Sequence, residues 1–412
     1  MIKINRPRII ENGEKAILQT SIYIPECAAI KYKEITSTIK NCPWRTKEDY
    51  PPCVWQSGYS ELRFEVDIKY SSFLCTERSD SFVVSMLWYA IITEEDIEFE
   101  AEMSKLLYEG LTQKLIPAIC KDEYRKIKLI GPITSKKIDN FGAIGLGMTC
   151  GADSFYSLLT HDVSHLAYYE SGHIFNLNGV VNNNISVVDY YKKAYEIADE
   201  KATNAKEVAI QNNKEFVYVK SNLDEDFYRG GIIYRSMYCN LACTLALQKL
   251  FKTYISSSSG NSKDVEVGLL IPTQNYENLI CDSCKTETMS YDSSDFERRL
   301  DKIKYISNSS ITNKYLDVCY NFTGHNCGKC YGCIKTMVEL DILGKLDDYS
   351  QVFDLKDYYA NRKERVRVLA EGSIKKEMSS VKEAWIDIVE YARTHNSKIS
   401  KIVLEENEGL YG

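Results

Sequence analysis

Four cysteines in the last third of the chain constrain its fold more than any other feature. They follow C-x7-C-x2-C-x2-C spacing at Cys319, Cys327, Cys330 and Cys333, with Gly328 and Gly332 between the later thiols. A zinc ion binds thiolates at about 2.3 Å in tetrahedral geometry, and four thiolates leave no open coordination position. The spacing therefore predicts a closed, structural zinc site. The simpler interpretation is a cluster of reduced, buried thiols.

A second C-x2-C pair, Cys281 and Cys284, leaves the ligand set open. A zinc ribbon could combine this pair with two of the later thiols. The compact set of four needs no long-range docking, and we expect this set to bind the ion.

An apolar run and then a turn of small residues lie within residues 141–159. This pattern is typical of a strand, a loop and the start of a helix. Asp153 or Ser154 can cap that helix, whose free N–H groups and positive dipole end attract anions. Gly151 lets a phosphate approach the backbone closely. No Gly-Lys-Ser/Thr follows, so this is not a Walker A loop, and many such turns only connect two elements.

Together the two motifs resemble those of the 7-cyano-7-deazaguanine synthases of queuosine and archaeosine biosynthesis, which belong to the pyrophosphatase-loop (PP-loop) superfamily. The resemblance covers residues 138–345. Where that family has a Ser-Gly-Gly-x-Asp-Ser loop, residues 149–154 read Thr-Cys-Gly-Ala-Asp-Ser. Its Cys-Tyr-Asn and Cys-Gly-x-Cys-x-x-Cys elements match residues 319–321 and 327–333. The chain departs from the pattern at Cys150, whose side chain stands where the family has none.

The resemblance implies a PP-loop α/β fold, with a parallel sheet, flanking helices and a zinc element. It implies a ligase that activates a 7-carboxy-7-deazaguanine-like acid with ATP and Mg²⁺, and then forms an amide or a nitrile. The catalytic residues would be Asp153, Ser154 and Thr149, with Asp153 close to the Mg²⁺ ion. The ATP-binding residues would be Gly147, Thr149, Cys150, Gly151, Ala152, Asp153, Ser154 and Glu170.

Three other functions fit the same residues. Relatives with extra domains resemble components of bacterial anti-phage defence, in which the activated acid would be joined to an amine of a protein or a nucleic acid. A nucleotide-binding scaffold without catalysis would explain the change from Ser-Gly to Thr-Cys. A tRNA thiolase would need a persulfide-bearing cysteine near the loop, such as Cys150 or the pair Cys281 and Cys284.

Three regions of the chain differ in pattern. Residues 1–135 are predicted to form an α+β extension that docks a partner or substrate, with strands at 16–24 and 62–70 and a helix that ends at Pro117. Residues 138–345 are predicted to form the ATP-binding domain with its zinc site. Residues 346–412 are predicted to be a helical tail with a mobile, acidic end.

The middle region alternates strands and helices, which is typical of a parallel sheet. Strands are predicted at 143–148, 166–170, 216–220, 254–257 and 265–270, and long helices at 189–207 and 232–251. Parallel sheets bind ligands at the carboxyl ends of their strands. Candidate groups at these ends are Glu170, Ser171 and Gly172, then Ser221, Asn222 and Asp224, and then residues 258–261.

Composition narrows the class of protein. The chain has 412 residues, 44% of them hydrophobic and 26% charged, and a net charge of −7. These values indicate a globular protein of more than one domain and argue against a surface that grips nucleic acid. The start of the chain lacks a signal peptide, and the apolar run at 82–92 is too short to cross a bilayer. We expect a cytoplasmic protein, away from membranes, that keeps its 14 cysteines as ligands or reduced thiols; the sequence leaves its oligomeric state open, and a homodimer is one possibility.

Overall fold

The structure, a computed structural model, describes residues 1–38, 57–120, 125–170, 187–228, 235–257, 285–289, 298–321, 323–375 and 379–411. It is an α/β protein with a mostly parallel central sheet and flanking helices, as the sequence predicts. The predicted strand at 265–270, the polar groups at 171, 172 and 258–261, and the pair Cys281 and Cys284 lie outside the described residues.

The strands that the structure describes are β1 (Ile2–Ile4), β2 (Arg8–Asn12), β3 (Lys15–Ile24), β4 (Gly58–Asp67), β5 (Ile97–Phe99), β6 (Met103–Ser104), β7 (Leu129–Ile130), β8 (Ile133–Thr134), β9 (Ala143–Gly147), β10 (His165–Tyr169), β11 (Glu215–Ser221), β12 (Phe251–Ser257) and β13 (Lys285–Met289). The described α-helices are α1 (Glu26–Thr38), α2 (Asp80–Thr93), α3 (Lys105–Gly110), α4 (Ile116–Cys120), α5 (Ala152–Thr160), α6 (Val187–Gln211), α7 (Arg235–Ala246), α8 (Arg299–Ile306), α9 (Ser310–Tyr315), α10 (Tyr331–Ile342), α11 (Leu355–Ala360), α12 (Arg362–Ser373), α13 (Ser379–Thr394) and α14 (Lys398–Tyr411).

One half of the sheet is entirely parallel, in the order β13, β12, β9, β10, β11. The chain runs outward from β9 to β10 and β11, and β12 then lies on the other side of β9. Such a reversal of strand order is a topological switch point, and it opens a crevice outside the carboxyl ends of the strands. The end of β9 is therefore where the topology favours a ligand.

The other half of the sheet comes from the N-terminal extension. Strand β4 pairs antiparallel with β11, and it also pairs along its whole length with β3. On the far edge of β3 lie β1 and β2, and β5 and β7 continue the sheet beyond β1. The predicted extension, residues 1–135, thus shares one sheet with the predicted ATP-binding domain.

The Asn222 side chain extends the short ladder between β11 and β4. Its Oδ1 accepts a hydrogen bond from the Arg63 backbone N–H at 2.9 Å, and its Nδ2 donates to the Glu61 carbonyl at 2.7 Å. An amide side chain has the same donor and acceptor as a peptide unit, so it replaces one rung of the ladder. This strand-end residue therefore joins the two halves of the sheet.

Two hydrophobic cores lie on opposite faces of the sheet. Leu166 and Tyr168 of β10 face one core, whereas Ala167 and Tyr169 face the other, as the two-residue period of a strand requires. The first core also contains residues of α5, α6, α10 and the tail helices, and the second contains α2, α7 and the extension.

Helix α2 is the most enclosed element that the structure describes. All 14 of its residues are buried, which is expected of a helix that is apolar on every side. Its Trp88 stacks on Tyr238 of α7 with ring centroids 6.0 Å apart. No helix among the described residues is long and apolar enough to cross a membrane.

The structure confirms the strands predicted at 16–24, 143–148, 166–170, 216–220 and 254–257, with shifts of one to three residues at most of their ends. The strand predicted at 62–70 lies at Gly58–Asp67, and a 3-10 helix begins at Ile68. Three other expectations are wrong. Pro117 does not end its helix, because α3, a π-helical turn at Leu111–Leu115 and α4 follow one another without a break, and such a turn accommodates a missing N–H. The helix predicted at 232–251 ends at Ala246, since Phe251 already begins β12. The acidic end is helical to Tyr411, and its Asn407 accepts a hydrogen bond from Trp385 at 3.3 Å.

Candidate functional site

The four predicted cysteine ligands come together in the structure. The sulfurs of Cys319, Cys327, Cys330 and Cys333 all lie within 4.8 Å of one another. Sulfurs around one zinc ion stand at about 2.3 Å from it, which requires mutual distances below about 5 Å. The cluster could therefore hold one metal ion, and its four thiols fit structural zinc.

Tight local geometry brings the four sulfurs together. Gly328 has a φ of +68°, a left-handed conformation that glycine adopts without strain, so the chain turns sharply between Cys327 and Cys330. Gly332 lies in the first turn of α10. A Cβ atom there would lie 2.2 Å from the Val318 carbonyl oxygen, so only glycine allows this close approach.

Backbone N–H groups and one asparagine orient the thiols. The N–H of Tyr320 points to the Cys330 sulfur at 3.3 Å, and the N–H of Cys330 points to the Cys327 sulfur at 3.4 Å. Asn326 donates to the carbonyls of Leu316 and Val352 and accepts from the Val318 N–H. Such outer contacts orient metal ligands and favour thiolates.

Hydrogen bonds among the thiols shift their acidity in opposite directions. The bond with Cys319 holds the pKa of Cys327 well below its usual range, and the pKa of Cys333 is raised chiefly by its bond with Cys319. A set of close thiols that cannot all keep their protons is chemically suited to a dication, because metal binding displaces the protons.

The second predicted motif lies at the carboxyl end of β9. Gly147 ends this strand, and a Cβ atom on it would lie 2.7 Å from the Tyr254 hydroxyl. Helix α5 begins at Ala152 with Gly151 as its N-cap, so the prediction that Asp153 or Ser154 caps this helix is wrong. The Ser154 hydroxyl instead donates to the Gly151 carbonyl at 2.9 Å. The first N–H groups of α5 thus have no side-chain cap.

Cys150 occupies a strained position in this loop. Its φ is +59°, in the left-handed region where a Cβ atom costs about 1–2 kcal/mol. The side chain is buried in the core that contains α5, and burial raises the pKa of its thiol to about 12. The loop thus contains a strained residue whose thiol stays protonated at neutral pH.

Asp153 lies in the first turn of α5 and forms an ion pair with a buried lysine. Its Oδ1 is 3.0 Å from Nζ of Lys302 on α8. Burial acts to raise the pKa of this carboxyl group, but Lys302, Arg299 and Lys335 together hold it below its usual value. Asp153 is therefore a carboxylate at neutral pH.

A backbone hydrogen bond connects the loop to the cysteine element. The N–H of Asp317 donates to the carbonyl of Cys150 at 2.8 Å. The Asp317 carboxylate accepts from the Cys319 N–H at 3.2 Å and forms an ion pair with Lys201 of α6. The sequence places these residues about 170 positions apart, yet the fold makes them one structural unit.

Glu170 lies at the carboxyl end of the neighbouring strand β10. Its side chain is buried and accepts a hydrogen bond from the Tyr218 hydroxyl. Nζ of Lys220 lies 3.5 Å from Oε2 of Glu170. Burial raises the pKa of Glu170 to about 7, with Tyr218 and Lys220 opposing that rise. A carboxyl group with such a pKa can gain and lose a proton near neutrality.

The other predicted strand-end groups serve the fold. Ser221 and Asn222 lie at the junction between β11 and β4, and Asp224 is fully buried. Four residues at the site are not predicted from the sequence: Lys201, Lys302, Asp317 and Lys335. Only the four-residue spacing of Lys335 and Glu339 on one helix face could have drawn attention to any of them.

The fold and the site define an α/β protein with a cluster of four cysteines that could hold a metal ion, next to a strand-to-helix loop at a switch point. Comparisons with models of protein families, with curated proteins and with solved structures find no match to this chain.

Proposed function

We propose that this chain is an ATP-dependent ligase with a PP-loop fold that adenylates an acid of the 7-carboxy-7-deazaguanine type. The observation that carries the proposal is the position of residues 149–154. They leave the carboxyl end of β9 at the switch point and lead into the uncapped start of α5. This is where an open α/β sheet binds a nucleotide, and the N-terminus of a helix attracts phosphate.

The link between the loop and the cysteine element supports the same proposal. Residues 319–333 resemble the zinc element of the synthase family, and Asp317 bonds directly to the loop through Cys150. A structural metal that holds Asp317 in place would thereby hold the loop in place. The two motifs that carry the resemblance thus depend on one another in this fold.

The reaction begins with activation of the carboxylate, because amines do not attack carboxylates readily. A carboxylate oxygen of the acid attacks the α-phosphorus of ATP, and pyrophosphate leaves with the electron pair of the broken P–O bond. An amine then attacks the acyl carbon, and AMP leaves. With ammonia the product is an amide, which a second ATP can activate for loss of water to the nitrile. When bound, Mg²⁺ offsets the phosphate charge.

The residues of this chain would act by binding and orienting. The N–H groups at the start of α5 and the hydroxyls of Thr149 and Ser154 would stabilise the leaving pyrophosphate. Asp153 would supply the carboxylate for Mg²⁺, and Glu170 would accept the proton that the attacking amine loses. Its pKa of about 7 suits that step at neutral pH.

Sulfur transfer at Cys150 is disfavoured by the structure. A thiolase needs an accessible thiol with a lowered pKa. The Cys150 side chain is 2% exposed and its pKa is raised to about 12. A scaffold without catalysis and a ligase that modifies a macromolecule are the alternatives that experiment must separate.

The test is pyrophosphate release by the full-length protein with ATP, Mg²⁺ and 7-carboxy-7-deazaguanine. We expect release that depends on the acid, and we expect Asp153→Asn to reduce it to background, since the metal loses its carboxylate. The control is Asp162→Asn, which changes a fully exposed aspartate just after α5. A wild-type protein that binds ATP but releases no pyrophosphate with any deazaguanine acid would be a scaffold.

Mass spectrometry of the same mixtures identifies the acceptor. Amide or nitrile formed from ammonia supports the small-molecule ligase, whereas a mass added to a protein or nucleic acid supports the macromolecule-modifying alternative. Cys150→Gly restores the glycine of the family and removes the strain at φ +59°. We expect turnover to be unchanged or faster in this variant, and complete loss would instead point to sulfur chemistry.

A further inference from the structure

Five charged side chains from α5, α8 and α10 lie close together near the start of α5. Asp153 of α5 pairs with Lys302 of α8, and Glu339 of α10 pairs with Arg299 of α8 through Oε1 and Nε at 3.0 Å. Lys335 of α10 is the fifth member, one helical turn before Glu339. Three cations and two carboxylates of α5, α8 and α10 therefore lie together at this place.

Lys335 differs from Arg299 and Lys302, which each pair with a carboxylate. Its residue is 3% exposed, and it makes neither a hydrogen bond nor an ion pair with any residue that the structure describes. Its ammonium group acts electrostatically on both Asp153 and Glu339. Transfer of an ammonium group from water to a buried position without a partner costs free energy. The burial of Lys335 therefore favours the binding of an anionic ligand.

Two further polar atoms of α10 are buried without partners beside Lys335. They are the Thr336 hydroxyl oxygen and Oε2 of Glu339, which have no hydrogen-bond partner among the described residues. Native proteins leave few buried polar atoms unsatisfied, and each such atom calls for an explanation. Both atoms belong to residues within four positions of Lys335 on α10, so three buried polar groups of one helix segment have unused hydrogen-bonding capacity among the described residues.

We propose that Lys302 and Lys335 form a phosphate-binding pair, in which Lys302 exchanges Asp153 for a phosphate oxygen when the ligand enters. The exchange releases the Asp153 carboxylate to the divalent cation that accompanies the phosphates. Arg299 stays with Glu339 and holds α8 against α10. This inference rests on the proposed nucleotide-binding function and adds to it two lysines and a change of partners.

The changes in thermal stability and in phosphate affinity distinguish a ligand-binding lysine from a structural one. Lys335→Met removes a buried charge that has no partner in the described structure, so thermal stability should rise or stay unchanged while phosphate affinity falls. If Lys335 served only to neutralise Glu339, the same change would lower stability and leave affinity unchanged. Thermal melting and binding measured on one preparation separate the two cases.

The experiment is isothermal titration calorimetry of the full-length, metal-bound protein with inorganic pyrophosphate and with ATP. We expect Lys335→Met and Lys302→Met each to weaken pyrophosphate binding about tenfold or more, since each removes a charge-assisted hydrogen bond. The matched control is Lys304→Met, which changes an exposed lysine on α8 and should leave binding unchanged.

Asp153→Asn gives a second readout with the opposite sign. Without divalent metal this variant should bind pyrophosphate more tightly than wild type, because Lys302 no longer has a competing carboxylate. With Mg²⁺ the advantage should disappear. Wild-type binding of ATP that neither lysine change weakens would overturn the inference alone, and failure of wild type to bind ATP or pyrophosphate would overturn the proposed function with it.

Discussion

At the scale of single residues, burial decides which groups near the loop can do chemistry. Cys150 and Glu170 are both buried, yet burial makes the thiol inert and brings the carboxyl group into the neutral range. The difference arises because an ordinary thiol titrates above neutral pH and an ordinary carboxyl group titrates below it. Burial therefore leaves the Cys150 thiol unreactive at neutral pH, and it makes the Glu170 carboxyl group a candidate for proton transfer.

The raised pKa of Glu170 predicts a pH dependence of stability. The folded protein favours protonated Glu170, so this contribution is fully present below about pH 4.5 and is lost as pH rises through about 7. Glu170→Gln keeps an uncharged side chain at every pH. We therefore expect the variant to gain stability relative to wild type between these pH values, by on the order of 2–3 kcal/mol.

Urea unfolding of both proteins across this pH range measures the difference. The control is Glu196→Gln, which changes an exposed glutamate of α6 and should show no such trend. A stability difference between wild type and Glu170→Gln that stays constant from pH 4.5 to 7 would contradict the assignment.

At the scale of elements, the cysteine segment is the one whose stability we expect to depend on a bound metal ion. Its described backbone contains no strand, and its turns are set by glycines and by N–H contacts to sulfur. Metal binding to such a segment contributes folding free energy, about 10–16 kcal/mol in isolated zinc-finger peptides. The bond from Asp317 to Cys150 extends this dependence to the loop.

We expect the purified protein to contain about one zinc ion per chain, and Cys330→Ser to release it. The variant should melt at a lower temperature, because it loses the free energy of metal binding. Elemental analysis and thermal melting check both points. Cys27→Ser, which changes an exposed cysteine, is the control. A metal-free wild type with an unchanged melting temperature would show that the thiols are only a reduced cluster.

Sequence patterns predicted the elements better than they predicted the contacts. The alternation in β4 and the four-thiol spacing depend on near neighbours, so both could be recognised from the sequence. The pair of Asp153 and Lys302 joins residues that are 149 positions apart. No local pattern marks such a pair, since only the tertiary fold brings α8 and α5 into contact. The capping of α5 by Gly151 was missed because Asp153 and Ser154 are the stronger capping types.

At the scale of the whole molecule, the extension is joined to the rest through the sheet. Strand β4 continues the ladder beyond β11, and the core on that face contains residues from both regions. A docking function for residues 1–135 stays a prediction. The shared core changes how this function can be tested, since removal of the extension would expose one face of the parallel half of the sheet.

We expect a chain of residues 138–412 to be unfolded, because it loses β4 and the apolar cover of α2. Far-UV circular dichroism and gel filtration check this expectation. Asn222→Ala is the milder variant, since it keeps the whole chain but removes the hydrogen bonds to the backbone of Glu61 and Arg63. It should cost about 1–3 kcal/mol in urea unfolding. A folded, monomeric fragment as stable as the full chain would show instead that the extension is an independent domain.

The complete burial of α2 also has a consequence during synthesis. Its covering helix α7 begins more than 100 residues after α2 ends. At 5–20 residues per second, the apolar surface of α2 waits on the order of 10 s before α7 leaves the ribosome. During that interval the nascent chain displays an apolar helix with no native partner on that side, and a chaperone that holds this segment would favour correct folding.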